Sequence, residues 1–438
     1  MLTSEFQNLP KNWRIKELGE VCELCNGYAF KSSSFINKGV PVIRIGDIKN
    51  FEIDISNAMQ VQISQDYENY QIQNGDLLIA MSGATTGKMG IYKLQNPAYL
   101  NQRVGNLKIK SNEIIPEYRN FALYALQTEI YKRAYGGAQP NISKGAIESL
   151  KIPLPPLEIQ KRIVARLESA FEKIEKGSAH LQDAKTNLAK YKQSLLKSAF
   201  DGTLTAAASL RESAADEAIH KVDCHDLTSS KLAMTDKENP KLPQGWTIKT
   251  LGEIAQTTSG GTPSRKKLDY WNGNIKWLKS GELNDNYINE VAETITQSGL
   301  ENSSAKIFSK GTLLIALYGA TIGKLGILNL ETSTNQAVCA IMPNKELETK
   351  YLFHFLFSIR NKMIKDAFGG AQSNISQTYL KQIKIPLPPL EIQKQIVKLL
   401  EKHLQHADKT GEFIESALNK AKQLKQSLLK SAFLGKLT

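Results

Sequence analysis

The sequence predicts an α/β (α+β) protein of two tandem globular domains, each followed by a long helix, with the two helices pairing as an antiparallel coiled coil of pseudo-two-fold symmetry. Three observations carry that expectation. Residues 151–205 recur as 384–438, with 29 of 55 positions identical at an offset of 233. The segments before each copy also match, Leu9-Pro10 through Trp13 to Leu18-Gly19-Glu20 against Leu242-Pro243 through Trp246 to Leu251-Gly252-Glu253. Within each copy the apolar and small residues step alternately by four and three, the spacing of a coiled-coil seam.

Taken in order, 40–48, 75–82 and 89–94 read as strands, β-branched and aliphatic between glycines. Residues 118–135 read as an amphipathic helix, with 351–368 as its counterpart. Asn272-Gly273, between Trp271 and Trp277, predicts a hairpin turn. Residues 30–61 and 260–295 have little in common, and the offset drifts from 233 to 236 across them. A frame kept in both halves around differing middles suggests one scaffold carrying two separate specificities.

Pro153, Pro155 and Pro156 fix φ and remove donors, so the chain there is extended and a helix begins only after it. The seam then runs Ile163, Leu167, Ala170, Ile174, Gly177, Leu181, Ala184, Leu188, Tyr191, Leu195. Its repeat runs from Ile396 and Leu400 to Leu424 and Leu428, with several small or polar members. Each helix of about 40 residues spans roughly 60 Å. Two self-complementary helices in one chain behave as a linked dimer. Antiparallel pairing needs no return path. Parallel pairing would make the polar, acidic 206–241 linker retrace the helix length, which 36 residues can span.

Lys and Arg total 56 against 43 Asp and Glu, a net charge of +13 that suggests a polyanion partner, nucleic acid first. Much of the excess lies in the repeated helical stretches, +4 in 151–205 and +5 in 384–438, where it also fits a solvated helix face. No run of eighteen apolar residues suggests a membrane span, and the first thirteen residues lack a basic-then-apolar signal pattern, so a cytoplasmic location is expected. Cys22, Cys25, Cys224 and Cys339 are too few for a disulfide framework. Cys22-x-x-Cys25 is half of a zinc site at most, and its counterparts are Ala255 and Thr258.

The six histidines show no metal spacing. Gly83-Ala-Thr-Thr-Gly-Lys88 fails as a phosphate-binding loop. It has three residues between its glycines instead of four, and Met89 follows Lys88 where Ser or Thr is needed. A strand–turn–strand with a polar tip is the expectation instead, repeated at 319–324. No nucleotide-binding, hydrolase or metalloprotease motif is present, nor the cofactor loop and Asn-Pro-Pro-aromatic sequence of an adenine methyltransferase, so no catalysis and no bound metal or cofactor are expected of this chain.

Candidate nucleic-acid contacts are the polar residues at loop tips. In the first domain these are Lys31, Ser32, Ser33, Arg44, Lys49, Thr85, Lys88, Gln102, Arg103, Gln139 and Asn141. In the second they are Ser264, Arg265, Lys266, Lys267, Lys279, Thr321, Lys324, Gln336, Gln372 and Asn374. Arg, Lys, Asn and Gln read base edges, whereas Ser and Thr more often touch phosphates. Taken singly, each is read first as a solvated surface residue, because most surface polar residues contact only water. Gly-Gly-Ala-Gln-x-Asn-Ile-Ser, shared by both halves, has a structural reading. Arg44 and 265–267, in the divergent middles, are better placed for specificity.

Duplicated domains ending Gly-Gly-Ala-Gln…Asn-Ile-Ser…Ile-Pro-Leu-Pro-Pro-Leu, each followed by a long helix closing Ser-Leu-Leu-Lys-Ser-Ala-Phe, resemble the specificity subunit of type I restriction-modification enzymes. Gly260-Gly261-Thr262-Pro263-Ser264 with Tyr270-Trp271 resembles a common opening of that family's target recognition domains. Glu-Ile-Gln follows the prolines here where many members have Glu-Gln. The linker is not a clear copy of the short repeats some members use as a spacer. The resemblance implies target recognition domains at 1–152 and 242–385, coiled-coil helices at 153–205 and 386–438, and a linker at 206–241. It implies that each domain reads one half of a bipartite, asymmetric site on double-stranded DNA. It implies that the helices set the unread gap and dock two modification subunits, which bring S-adenosylmethionine and methylate adenine at N6. Two restriction subunits would add ATP- and Mg-dependent translocation and cleavage. The rival reading is a coiled-coil adaptor that binds protein alone.

Overall fold

A computed structural model describes residues 6, 9–49, 51–135, 140–205, 242–368 and 374–437. Gln139, Gln372 and the 206–241 linker therefore lie outside the described residues. The chain divides into two units, Met1–Gln182 with Ile414–Thr438, and Asp183–Phe413.

In the first unit a six-stranded sheet runs Cys22–Asn26, Val104–Ile109, Leu77–Ala80, Met89–Ile91, Phe51–Ile53, Ile48–Lys49. A five-stranded sheet runs Phe35–Ile36, Met59–Val61, Val40–Ile43, Ala98–Leu100, Gln71–Ile72. The helix Pro116–Ala134 buries Tyr118, Ala122, Leu123, Leu126 and Ile130 in the same core as Leu77, Ile79 and Met89. The second unit repeats this order. Thr257–Ser259, Val338–Ile341, Leu313–Ala316, Leu325–Leu328 and Asn286–Ile288 form one sheet, and Glu293–Ile295, Trp271–Leu278, Thr332–Thr334 and Ile307–Phe308 the other. Each sheet of the first unit has one extra edge strand. The divergent middles thus share a topology that their sequences hide.

The proline stretch is part strand: Lys151–Leu154 pairs antiparallel with Arg14–Glu17, and Lys384–Leu387 with Thr247–Thr250. One long helix follows each, Leu157–Phe200 and Leu390–Phe433, 44 residues apiece. Gln160 fixes the take-off angle of the first. It is fully buried, accepts from Ile115 N–H (3.0 Å) and donates to the Glu113 (2.7 Å) and Pro155 (2.9 Å) carbonyls. Gln393 does the same with Glu348 N–H and the Glu346 and Pro388 carbonyls.

The two long helices pack together, antiparallel within each unit. In the first unit Lys425 pairs with Glu175 at 2.7 Å; in the second Lys192 pairs with Asp408. The seam is deep near its ends, where Ile163, Leu167, Ile396 and Leu400 are buried, and again at Ala407 and Ile414, whereas Gly177, Ala184 and Leu424 are exposed. The repeated Ser-Leu-Leu-Lys-Ser-Ala-Phe has a separate role. Leu429, Ala432 and Phe433 enter the core of the first domain, with Phe433 5.2 Å from Tyr118. Leu195, Leu196, Ala199 and Phe200 enter that of the second, with Phe200 5.3 Å from Tyr351. Each domain core is therefore closed by the end of the helix that follows the other domain.

Three local expectations change. Asn272-Gly273 is a bulge inside one strand, since Trp271 and Ile275 both face Ile295 and Asn272 alone takes a left-handed φ of 62°. The turn reading fails because a Cβ at Gly273 would lie 2.6 Å from the Ile295 carbonyl, so the glycine serves close strand contact. The 351–368 helix is two helices, Thr349–Ser358 and Arg360–Phe368, joined at Ile359. The 40–48 strand is interrupted by a 3-10 turn at Ile45–Asp47, because Asp47 Oδ2 accepts from the Arg44 N–H (2.8 Å) in place of a strand partner.

Candidate nucleic-acid interface

The candidate side chains are delivered by the ends of parallel strands. Val40–Ile43 runs parallel to Ala98–Leu100, so both release their following loops at the same end of the sheet. Arg44 follows the first and Asn101-Gln102-Arg103 the second, and Asn101 N–H donates to the Ile43 carbonyl (3.1 Å). The 83–88 turn joins them. It caps the antiparallel pair Leu77–Ala80 and Met89–Ile91, with Gly83 and Gly87 at φ of 92° and 82°, so the strand–turn–strand expectation holds. Thr85 Oγ1 donates to the Ile45 carbonyl (3.1 Å), and Met81 N–H to that of Arg103 (2.8 Å). Arg44, Thr85 and Arg103 are thereby brought together.

Arg44 is half-buried, its Nε 3.8 Å from Asp47 and its guanidinium donating to the Asn57 carbonyl (3.4 Å). Burial pushes the Asp47 carboxyl above its ordinary value. Lys49 pairs with Asp54 at 2.8 Å, and that hydrogen bond holds Asp54 far below the carboxylate range. Lys88 is exposed, with no ion-pair partner among the described residues. Lys31, exposed before the Ser32–Ser34 turn, is not tied to the three loops.

The second domain builds the same arrangement. Trp271–Leu278 runs parallel to Thr332–Thr334, which places Lys279 where the first domain has Arg44, and Asn335-Gln336 where it has Asn101-Gln102. The 319–324 turn repeats 83–88, with Gly319 and Gly323 at φ of 84° and 75°. Thr321 is half-buried there. Lys324 differs from Lys88, because its amine lies 3.2 Å from Asp285, which also holds Arg360. Burial opposes charge on Asp285, but the Arg360, Leu325 N–H and Lys324 bonds outweigh it and keep the carboxyl below its ordinary range.

Arg265 and Lys279 share one acid that sequence reasoning missed. Glu293 lies 2.6 Å from Arg265, and Lys279 Nζ donates to its other oxygen. The Lys279 bond, with Arg265 alongside, holds the partly buried carboxyl below its ordinary range. The Arg265 guanidinium lies over the Trp271 ring, 3.6 Å from its centroid. Lys267 donates to the Tyr270 hydroxyl (2.9 Å), and Lys266 is exposed. No local motif marks Glu293; its significance comes from standing directly across from Trp277 in the neighbouring strand.

The described part of the shared motif is structural. Ile142 and Ile375 are buried, with N–H groups donating to the Met81 and Leu317 carbonyls. Ser143 and Ser376 accept from the N–H groups of Ala146 and Tyr379 and so start short helices. Asn141 pairs with Ser82 in an isolated bridge. Cys22 and Cys25, three apart on one strand, project to opposite faces. Burial pushes the Cys22 thiol to about 11 and that of Cys339 to about 12, out of reach of neutral-pH thiolate chemistry. Among the described residues no helix is long and apolar enough to cross a membrane, and no three His, Cys, Asp or Glu side chains stand together as metal ligands.

Two like-built domains joined to a pair of antiparallel helices, with matching loop tips carrying different cations, define a two-headed recognition scaffold. The model of the type I restriction modification DNA specificity domain matches residues 10–182 and 243–419. The chain is 25% identical to the EcoBI specificity subunit of Escherichia coli, covering 98% of this chain and 87% of that protein. It is 27% identical to the putative MjaX specificity subunit of Methanocaldococcus jannaschii, over 91% and 88%. A chain of a solved type I restriction-modification system shares the fold with a TM-score of 0.71 at 20% identity, over 98% and 99% of the two chains. The HsdS subunit of Thermoanaerobacter tengcongensis does so at 0.58 and 20%, over 98% of each. The chain belongs to the type I restriction-modification specificity family: it is the DNA specificity subunit of such a complex, with two target recognition domains, and is itself non-catalytic.

Proposed function

We propose that residues 1–152 and 242–385 each read one half of a bipartite, asymmetric DNA site. The helices at 153–205 and 386–438 hold the two readers apart and set the unread gap. The observation that carries this is the strand order the two domains share, the first having one extra edge strand in each sheet, with different side chains at matching loop positions, Arg44 against Lys279 and Arg103 against Ala337. Among the predicted contacts, Arg44 and Arg103 in one domain and Arg265 and Lys279 in the other are the groups best placed to meet bases. Lys31, Lys49, Thr85, Lys88, Lys266, Lys267, Thr321 and Lys324 suit phosphates, a role that demands less fixed geometry. Gln139 and Gln372 remain candidate contacts by sequence alone.

The helices dock two modification subunits, which supply S-adenosylmethionine and methylate adenine N6. Two restriction subunits add ATP- and Mg-dependent translocation and cleavage. The chain works in the cytoplasm, where its DNA is. The test is co-expression with the modification subunit and genome-wide mapping of N6-methyladenine. A bipartite motif is expected, and exchange of residues 1–150 for another reader should alter one half of it only. Methylation without a bipartite motif would favour the protein-binding adaptor.

A further inference from the structure

Glu293, like Asp285, serves two cations at once, but both of its cations, Arg265 and Lys279, are loop-tip residues nominated as DNA contacts. Its side chain is 26% exposed. One oxygen faces Arg265 at 2.6 Å and the other accepts from Lys279. The platform under Arg265 is itself rigid. Trp271 Nε1 donates to the Ser264 carbonyl (3.2 Å) and Trp277 Nε1 to that of Gly261 (2.9 Å). The two indoles meet edge to face with centroids 5.0 Å apart. Arg265 lies 3.6 Å from the first ring centroid and 5.0 Å from the second.

A cation that only neutralises phosphate gains little from such fixing, since phosphate contacts carry no sequence information. A base reader gains much, because rotamer freedom is lost before binding and not during it. A guanidinium has five donors in a planar fork. Here one side of the fork faces Glu293 and the flat face rests on Trp271. No other ion-pair or hydrogen-bond partner of this guanidinium occurs among the described residues, so donors remain for a two-point contact with a purine edge. Arg to O6 and N7 of guanine is the commonest such pairing.

Resting on the reading of residues 242–385 as a target recognition domain, we propose that Glu293 is a positioning residue that presents Arg265 to a guanine in the second half-site and steadies Lys279 beside it. The device belongs to one domain. Strand register places Met59, directly across from Val42, where Glu293 stands directly across from Trp277. Arg44, the counterpart of Lys279, instead has Asp47 of its own loop 3.8 Å from its Nε and donates to the Asn57 carbonyl.

The experiment compares the unaltered chain, Glu293→Ala, Glu293→Asp and Arg265→Lys, each in complex with the modification subunit. Readouts are the N6-methyladenine motif and binding to duplexes altered in one half-site at a time. Arg265→Lys and Glu293→Ala should each cut discrimination at one G·C pair of the second half-site about ten- to a hundredfold, the range of a bidentate base contact. Discrimination in the first half-site should not change, and Glu293→Asp should recover part of the loss. An unchanged second half-site in Arg265→Lys overturns the proposal, even if Glu293→Ala fails to assemble. Equal relaxation of both half-sites overturns it too, because that is the signature of a folding defect. If the unaltered chain yields no bipartite motif, the underlying reading falls; if it yields one that Arg265→Lys leaves intact, only this inference falls.

Discussion

The two target recognition domains share a strand order yet stabilise the same corner differently. In the second, Asp285 gathers Arg360, Lys324 and the Leu325 N–H beside the strand that starts at Asn286. In the first, the matching strand starts at Phe51, which lies 4.7 Å from Tyr124, and the helix position matching Arg360 is Gln127. An ionic lock in one domain is an aromatic contact in the other. The reading loops follow suit: Lys88 is left to solvent, whereas Lys324 is drawn inward. A duplicated scaffold keeps its backbone pairing and core positions, because those are set by strand register and packing. Its polar surface is free to diverge, because there the scaffold asks only for solubility and local charge balance.

That comparison can be broken most forcibly through the helix ends. Phe433→Ala removes a ring from the core of the first domain, and Phe200→Ala one from that of the second. Each should cost about 3–5 kcal/mol. Hydrogen exchange should rise in 77–134 for Phe433→Ala and in 313–363 for Phe200→Ala, the domain distant in sequence in the first case. Faster exchange in both domains for either variant would refute the separate closure of the two cores.

A smaller loss is expected from Gln160→Leu and Gln393→Leu. Each strands a backbone N–H and two carbonyls, at about 1–3 kcal/mol for a buried group left unsatisfied. The two variants should match closely, since the bonds are the same in both domains. Urea melts of the two proteins check this, and a gap of several kcal/mol between them would deny the equivalence.

The mildest effect sharpens the difference between the domains. Asp285→Asn should weaken the second domain by about 1–3 kcal/mol, the scale of a hydrogen bond to a charged group. Because the folded Asp285 carboxyl sits below its unfolded value of about 3.9, its contribution is fully present above that pH and is lost as pH falls through the lower folded value. Acid titration of the unaltered chain should therefore loosen the 285–360 contact, and Asp285→Asn should abolish that part of the pH response. The Phe51–Tyr124 contact should show no such dependence.

Much of this was legible in the residues. The repeat exposed the duplication, the four-three spacing the helices, and the missing fourth residue in Gly83-Ala-Thr-Thr-Gly-Lys88 the turn. Local signals misled where a distant neighbour decided. Asn272-Gly273 has the composition of a turn, but the Ile295 carbonyl presses against Gly273 and makes it a bulge. Arg265 and Lys279 could be nominated from type and position, yet the acid that unites them lies 28 residues after one and 14 after the other, without a motif.

The sequence by itself determined that there are two copies of one unit, where each long helix begins, and that the halves differ in their middles. These follow from spacing along the chain, which periodicity and proline record directly. Only the tertiary structure decided that each domain core is completed by Leu-Leu-x-Ser-Ala-Phe from the far helix, and that Arg44 and Lys279 occupy equivalent places. It also decided that one glutamate serves two cations. Those facts depend on strand register and on side chains that meet from separate stretches of the chain, and burial and pairing of that kind leave no period for the sequence to show.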